Sequence, residues 1–186
     1  MTYEKGVFQL SSVTAKLTHI SLNEQKHGKQ SVTGLTLKIS VTLNNRSLDM
    51  FLPGMVSAIY KAEDSPNGDI FEPGAEVALT ELIHGSALKS LPINRKLVGA
   101  CVTVAYGIDD DGAVEFDDAK VDSIVAQPQE GGSIIYDFKV KSLPADGDMD
   151  KLTKLLGHEI TLTVVPPTDA QGSLLGMDDD DDPDDE

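Results

Sequence analysis

From Leu35 to Leu43 apolar and polar side chains alternate without a break, with Leu35, Leu37, Ile39, Val41 and Leu43 on one side and Thr36, Lys38, Ser40 and Thr42 on the other. Successive side chains of a strand point to opposite faces, so this run predicts a strand with one face buried and the other in water. The pattern returns in Ser133–Lys141, where Ile134, Tyr136, Phe138 and Val140 oppose Asp137, Lys139 and Lys141, and again in Glu159–Val165. Less regular alternation predicts further strands over Val13–Leu22, Val77–Ile83, Leu97–Tyr106 and Ala113–Val125. Asp109-Asp110-Asp111-Gly112 and Gln129-Glu130-Gly131-Gly132 are rich in residues that tolerate turn geometry, so 97–141 reads as an antiparallel meander.

Two short stretches carry helical spacing instead. Pro53 suits the first helical position of a segment reaching about Ala62, with Val56, Ile59 and Tyr60 able to share a face. Asp148 can cap a second helix whose apolar stripe is Met149, Leu152, Leu155 and Leu156, and Gly157 suits its stop. Seven strands and two short helices predict a mainly β fold, an antiparallel barrel or sandwich of OB-like character. Residues 1–167 form the β-rich globular domain, with a division into two lobes near 91–96 left open at Leu91-Pro92. Val165-Pro166-Pro167 ends the last strand, and 168–177 reads as a linker.

Composition changes the picture mainly at the C-terminus. Asp178, Asp179, Asp180, Asp181, Asp182, Asp184, Asp185 and Glu186, with Pro183 between them, supply half of the formal charge of −16. Like charges at this density repel one another and bury no apolar surface, which predicts a disordered interaction tail. The rest of the chain is moderately acidic and holds all 15 Lys and Arg. A single cysteine, Cys101, excludes an intramolecular disulfide. No stretch reads as a signal peptide or as an apolar run of about 18 residues, so the expectation is a protein of the cytoplasm that does not enter the membrane.

Catalytic chemistry is thinly represented. His19, His27, His84 and His158 lie in different segments, none at metal-ligand spacing from another, and no phosphate-cradling glycine loop or nucleophile elbow is present. The Asp109–Gly112 run invites a calcium reading. On the EF-hand spacing its first ligand position falls on Gly107 and its twelfth on Asp118, which favours a plain hairpin turn. Neither an enzyme nor a metal or other cofactor is expected.

Binding is the remaining class. Lys16, His19, Lys26, His27 and Lys29 fall in the first strand and the loop after it, and Lys38 lies on the polar face of the next strand. If the two strands pair, these residues can gather near one end as a basic patch able to follow a phosphate backbone, whereas Lys26–Lys29 can equally be a solvated loop. A β-rich body with the acidic tail Asp178–Glu186 resembles phage and bacterial single-stranded DNA-binding proteins, in which an OB-fold binds the strand and the tail recruits replication or recombination proteins. The tail departs from that family in lacking a terminal hydrophobic or aromatic residue. The resemblance implies a nonspecific single-stranded DNA-binding accessory protein of phage-type replication or recombination, acting in the host cytoplasm. Its tail would bind a protein partner or compete with the strand for the basic patch. The alternative is an acidic decoy or chaperone for a basic protein, akin to a DNA mimic or a histone chaperone. A homo-oligomer is left open.

Overall fold

The computed structural model describes residues 6–27, 30–62, 78–106 and 112–167, apart from the side chains of 24–27, 30–32 and 86. Six long strands close into a ring: β1 (Leu10–His27), β2 (Gln30–Asn44), β6 (Leu97–Ala105), β7 (Val114–Gln129), β8 (Ser133–Ser142) and β9 (Glu159–Val165). Around the ring the order is β1, β2, β8, β7, β6, β9 and back to β1, every neighbour antiparallel. Of the antiparallel barrel or sandwich expected, this ring of pairings is barrel-like, with six strands where an OB-fold has five. Closure removes sheet edges over most of the ring and turns one side of every strand into a shared interior. Leu17, Leu37, Ile39, Val102, Ile134 and Leu162 are all fully buried there.

Three short strands lie outside the ring. β5 (Leu91–Ile93) pairs with the middle of β7, so the segment with the suggested division near 91–96 adds a strand to the main sheet. β3 (Tyr60–Ala62) and β4 (Leu79–Leu82) pair with each other. β3 and β5 have three residues each, too few for alternation to register.

One end of the barrel is closed by a 3-10 turn over Asn45–Met50 and by helix α1 (Met55–Ile59). Phe8, Phe51, Tyr136 and Phe138 interlock above them with centroids 5.4–5.7 Å apart. Burying Tyr136 requires a partner for its hydroxyl, and Ser47 provides one at 2.8 Å while donating its own proton to Asn44 O at 2.6 Å. Helix α1 is shorter than the Pro53–Ala62 segment expected, because Tyr60 is drawn into β3. Its hydroxyl accepts from Gln129 N at 3.1 Å and reaches the carbonyls of Gln129 and Ser133, both at 2.9 Å. Burial raises the phenol's pKa; the Gln129 backbone bond opposes this and the Glu130 charge adds to it.

Helix α2 (Asp148–Leu155) covers the opposite end and buries Leu152 and Leu155 of the expected stripe. Gly147 holds the capping position, and Asp148 instead accepts from Ala145 N at 2.8 Å; Gly157 ends the turn at φ +82°, as a glycine stop requires. β6, β7 and β8 form the expected meander. The β7–β8 turn carries Gly131 and Gly132 at φ +83° and +78°, and a side chain on Gly132 would meet Leu79 O at 3.2 Å. Asp109–Asp111, between β6 and β7, lies outside the described residues, as do 168–186 with the whole acidic tail.

Candidate nucleic-acid interface

β1 and β2 pair as the expected hairpin, but its register spreads the proposed basic residues along the ribbon. Lys16 lies opposite Ser40, His19 opposite Lys38, Lys26 opposite Ser31 and His27 opposite Gln30. Lys16 and Lys26 are ten positions apart on one strand, roughly 33 Å at strand rise, so a common patch at one end does not form. Lys16 has a second neighbour, Glu159 of β9, directly opposite. Lys29 and the side chains of Lys26 and His27 lie outside the described residues. Of the candidates, His19 and Lys38 are brought together in the middle of the barrel's outer face.

What joins them there comes from β8. Lys38 is opposite Lys139, and Thr36 is opposite Lys141. β7 sets Lys120 opposite Lys141 and Asp122 opposite Lys139. Two outward rows therefore run across the sheet, Ser21–Thr36–Lys141–Lys120 and His19–Lys38–Lys139–Asp122. An open groove of about 590 Å³ lies along them, lined by Thr18, His19, Ser21, Asn23, Thr36, Lys38, Lys139 and Lys141.

The rows hold two pairs of lysines directly opposed, an arrangement that destabilises a sheet unless an anion intervenes. Asp122 supplies the anion for one pair. Its carboxylate is 2.7 Å from Lys141 Nζ and accepts from Ser123 Oγ at 3.0 Å, and only 5% of the residue is exposed. Burial alone would raise the Asp122 pKa, but the hydrogen bonds from Lys141 and Ser123 and the charges of Lys141 and Lys120 outweigh it and hold it below 3.8. Ser123 sits at φ +57° within a register shift between Asp122 and Val125. Such a bulge costs backbone strain in a residue with a Cβ, and it occurs beside the site's one buried carboxylate.

Lys38 and Lys139 have no such counter-ion. Neither makes an ion pair with any of the described residues, and Asp137, next along the β8 face, is engaged by Gln127 Nε2 at 2.7 Å. The groove's other polar atoms are partly organised by the fold: Thr18 Oγ1 donates to Lys38 O at 2.9 Å, in a bulge between Leu17 and His19, and Asn23 Nδ2 donates to Thr36 Oγ1 at 3.0 Å. Two ammonium groups without an ion-pair partner among the described residues, set among hydroxyls and an amide, are suited to oxyanions.

Among the described residues no Phe or Tyr offers stacking surface on this face. Phe8, Phe51, Tyr60, Phe116, Tyr136 and Phe138 are buried, as expected for Tyr136 and Phe138, and the exposed Tyr106 follows β6 and packs near His158. Cys101 is half-buried on the outer side of β6 rather than in the core. No group of three or more His, Cys, Asp or Glu arranged for a metal ion occurs among the described residues. No known protein family, curated protein or solved structure matches the chain.

Lys139 and Lys141 were legible as polar-face residues of their strand, and so was Lys38. Their meeting was not, because it depends on β8 pairing with β2 across roughly 100 residues of chain, which alternation does not encode.

Proposed function

We propose that this chain binds single-stranded nucleic acid, DNA in the first instance, without sequence preference, and that its acidic tail competes for the same groove. The observation that carries the reading is the opposed, uncompensated pair Lys38 and Lys139 in a chain of net charge −16. An acidic protein that concentrates lysines across neighbouring strands, at the expense of sheet stability, has local affinity for phosphate despite its overall field. Lack of exposed aromatics on that face argues for contact with the backbone rather than the bases, hence for sequence independence. Lys38 and Lys139 would give a salt slope of about −1.4, at roughly −0.7 per neutralised phosphate of a single strand, Lys141 being engaged by Asp122.

The tail can reach the groove. β9 runs alongside β1 from Lys16 to Leu10, so the chain leaves the barrel at the end away from α2. Leu10 to His19 is about 30 Å of strand, and a ten-residue linker extends to about 33 Å.

Fluorescence anisotropy of a labelled oligothymidine tests this with the full chain and a 1–176 truncation across a salt series. Tighter binding by the truncated chain, weakening with salt, is the expected result. Absence of binding by either protein overturns the reading and turns attention to a basic protein as the ligand of the tail.

A further inference from the structure

We propose that the open edge of β1, from Thr18 to His27, is the interface with a second copy of this chain, the two β1 strands pairing antiparallel about a two-fold axis at Leu22. β9 covers β1 only over Leu10–Lys16, and Leu17 is met by the turn before β9, through Gly157 N to Leu17 O at 2.8 Å. Beyond it no described strand lies on that side, while β2 remains paired on the other side as far as His27. Over these ten residues, about 33 Å of strand, the backbone groups on that side have no strand partner among the described residues. Folded proteins usually protect such an edge with proline, short length or dense charge. Thr18–His27 has no proline and only Glu24 and Lys26 as formally charged residues.

The burial of one cross-strand pair marks the same edge. Leu22 and Leu35 are opposite each other, yet Leu35 is fully buried under β8 whereas Leu22 is 52% exposed. Leu22 also lies at the middle of the open span, where a two-fold axis brings a residue against itself. Charge selects a second copy as the occupant. At a net −16, two chains repel over most approaches, whereas the charged residues of this edge cancel. Pairing about Leu22 overlaps residues 18–26 and buries the two leucines against each other, forming an isologous contact. A two-fold axis normal to the sheet keeps both outer faces on one side, so the Lys38–Lys139 grooves of the two copies lie on one continuous surface.

The interface stands independently of what the groove binds. Light scattering on the full chain over micromolar to near-millimolar concentrations is expected to give a dimer, and Leu22→Lys a folded monomer that melts at the temperature of the wild type diluted to its monomeric state. Leu22→Cys in a Cys101→Ser background should form an intermolecular disulfide on mild oxidation, because directly opposed cysteines on neighbouring strands meet its geometry. A monomeric wild-type chain at all concentrations overturns the proposal. So does a dimer that survives Leu22→Lys and fails to cross-link through Cys at 22, since that dimer would use another surface.

Discussion

Two outward faces of the barrel come from the same alternation and differ in what stands across from each charge. On β7, Glu115 faces Thr103, and a bulge turns both Asp117 and Asp118 outward beside Cys101. These carboxylates have neutral neighbours across the strands and water around them, the ordinary state of a solvated polar face. On β2 and β8, Lys38 faces Lys139, and Lys141 is held by a buried aspartate. Charge at the first face is tolerated; charge at the second is organised. The difference lies in the partners of each charge rather than in its exposure, and it is what the proposed binding role of the second face rests on.

The sharpest way to break this comparison is charge reversal on each face. Lys38→Glu with Lys139→Glu should weaken oligothymidine binding at low salt by about a hundredfold or more, near 3 kcal/mol, whereas Glu115→Lys with Asp117→Lys should leave it unchanged or tighter. A gain from the Glu115 and Asp117 pair as large as the loss from the lysine pair, read by anisotropy, would mean that overall charge alone governs binding.

Asp122→Asn separates organisation from charge. Removing the carboxylate leaves Lys141 opposite Lys120 without a counter-ion, and the expected loss in urea unfolding is about 1–3 kcal/mol. Asp118→Asn on the solvated face should change stability by no more than about 0.5 kcal/mol. Because the Asn variant has a more positive groove, its binding should strengthen while its stability falls. Loss of both would place Asp122 in the fold alone.

Removing residues 177–186 is expected to tighten binding several-fold at low salt and to have no effect at high salt, where screening ends competition. Glu115, Asp117 and Asp118 cannot substitute for the tail, being fixed on another face.

The smallest effect is on pH dependence. The folded-state pKa of Asp122 lies below its ordinary 3.8, so this group's contribution to stability is present above that value and is lost as pH falls through the depressed one. Wild type and Asp122→Asn should therefore differ by a constant unfolding free energy above about pH 3.8 and converge as pH falls below it through the depressed value. Parallel curves would show that Lys141 does not hold the carboxylate in solution.

Much of the architecture was legible from the residues. The runs Leu35–Leu43, Ser133–Lys141 and Glu159–Val165 emerge as strands with the expected inward sides, the glycine-rich turn at 130–132 is present, and of the stripe of α2 Leu152 and Leu155 are buried, Met149 partly so, while Leu156 lies beyond the helix and is exposed. Illegible elements have a common cause. β3 and β5 are too short for a period to appear, and Tyr60 was read as helical because its hydroxyl partners, Gln129 and Ser133, are far away in sequence. Of the site, the sequence pattern singles out Lys38 and His19, whereas Lys139, Lys141, Lys120 and Asp122 stand in it only as polar positions.

Alternation is local: each residue's side of the strand follows from backbone geometry and from which side chains avoid water, so the order of residues along the chain settles which groups face outward. It also settles the charge of the tail, which needs no partner to exist. Strand neighbours follow from how the whole apolar surface is best enclosed. That solution sets β8 against β2, closes the ring and leaves β1 open beyond Leu17. The opposition of Lys38 and Lys139, the rescue of Lys141 by Asp122 and the exposure of Leu22 are consequences of closure, a cooperative property of all six strands.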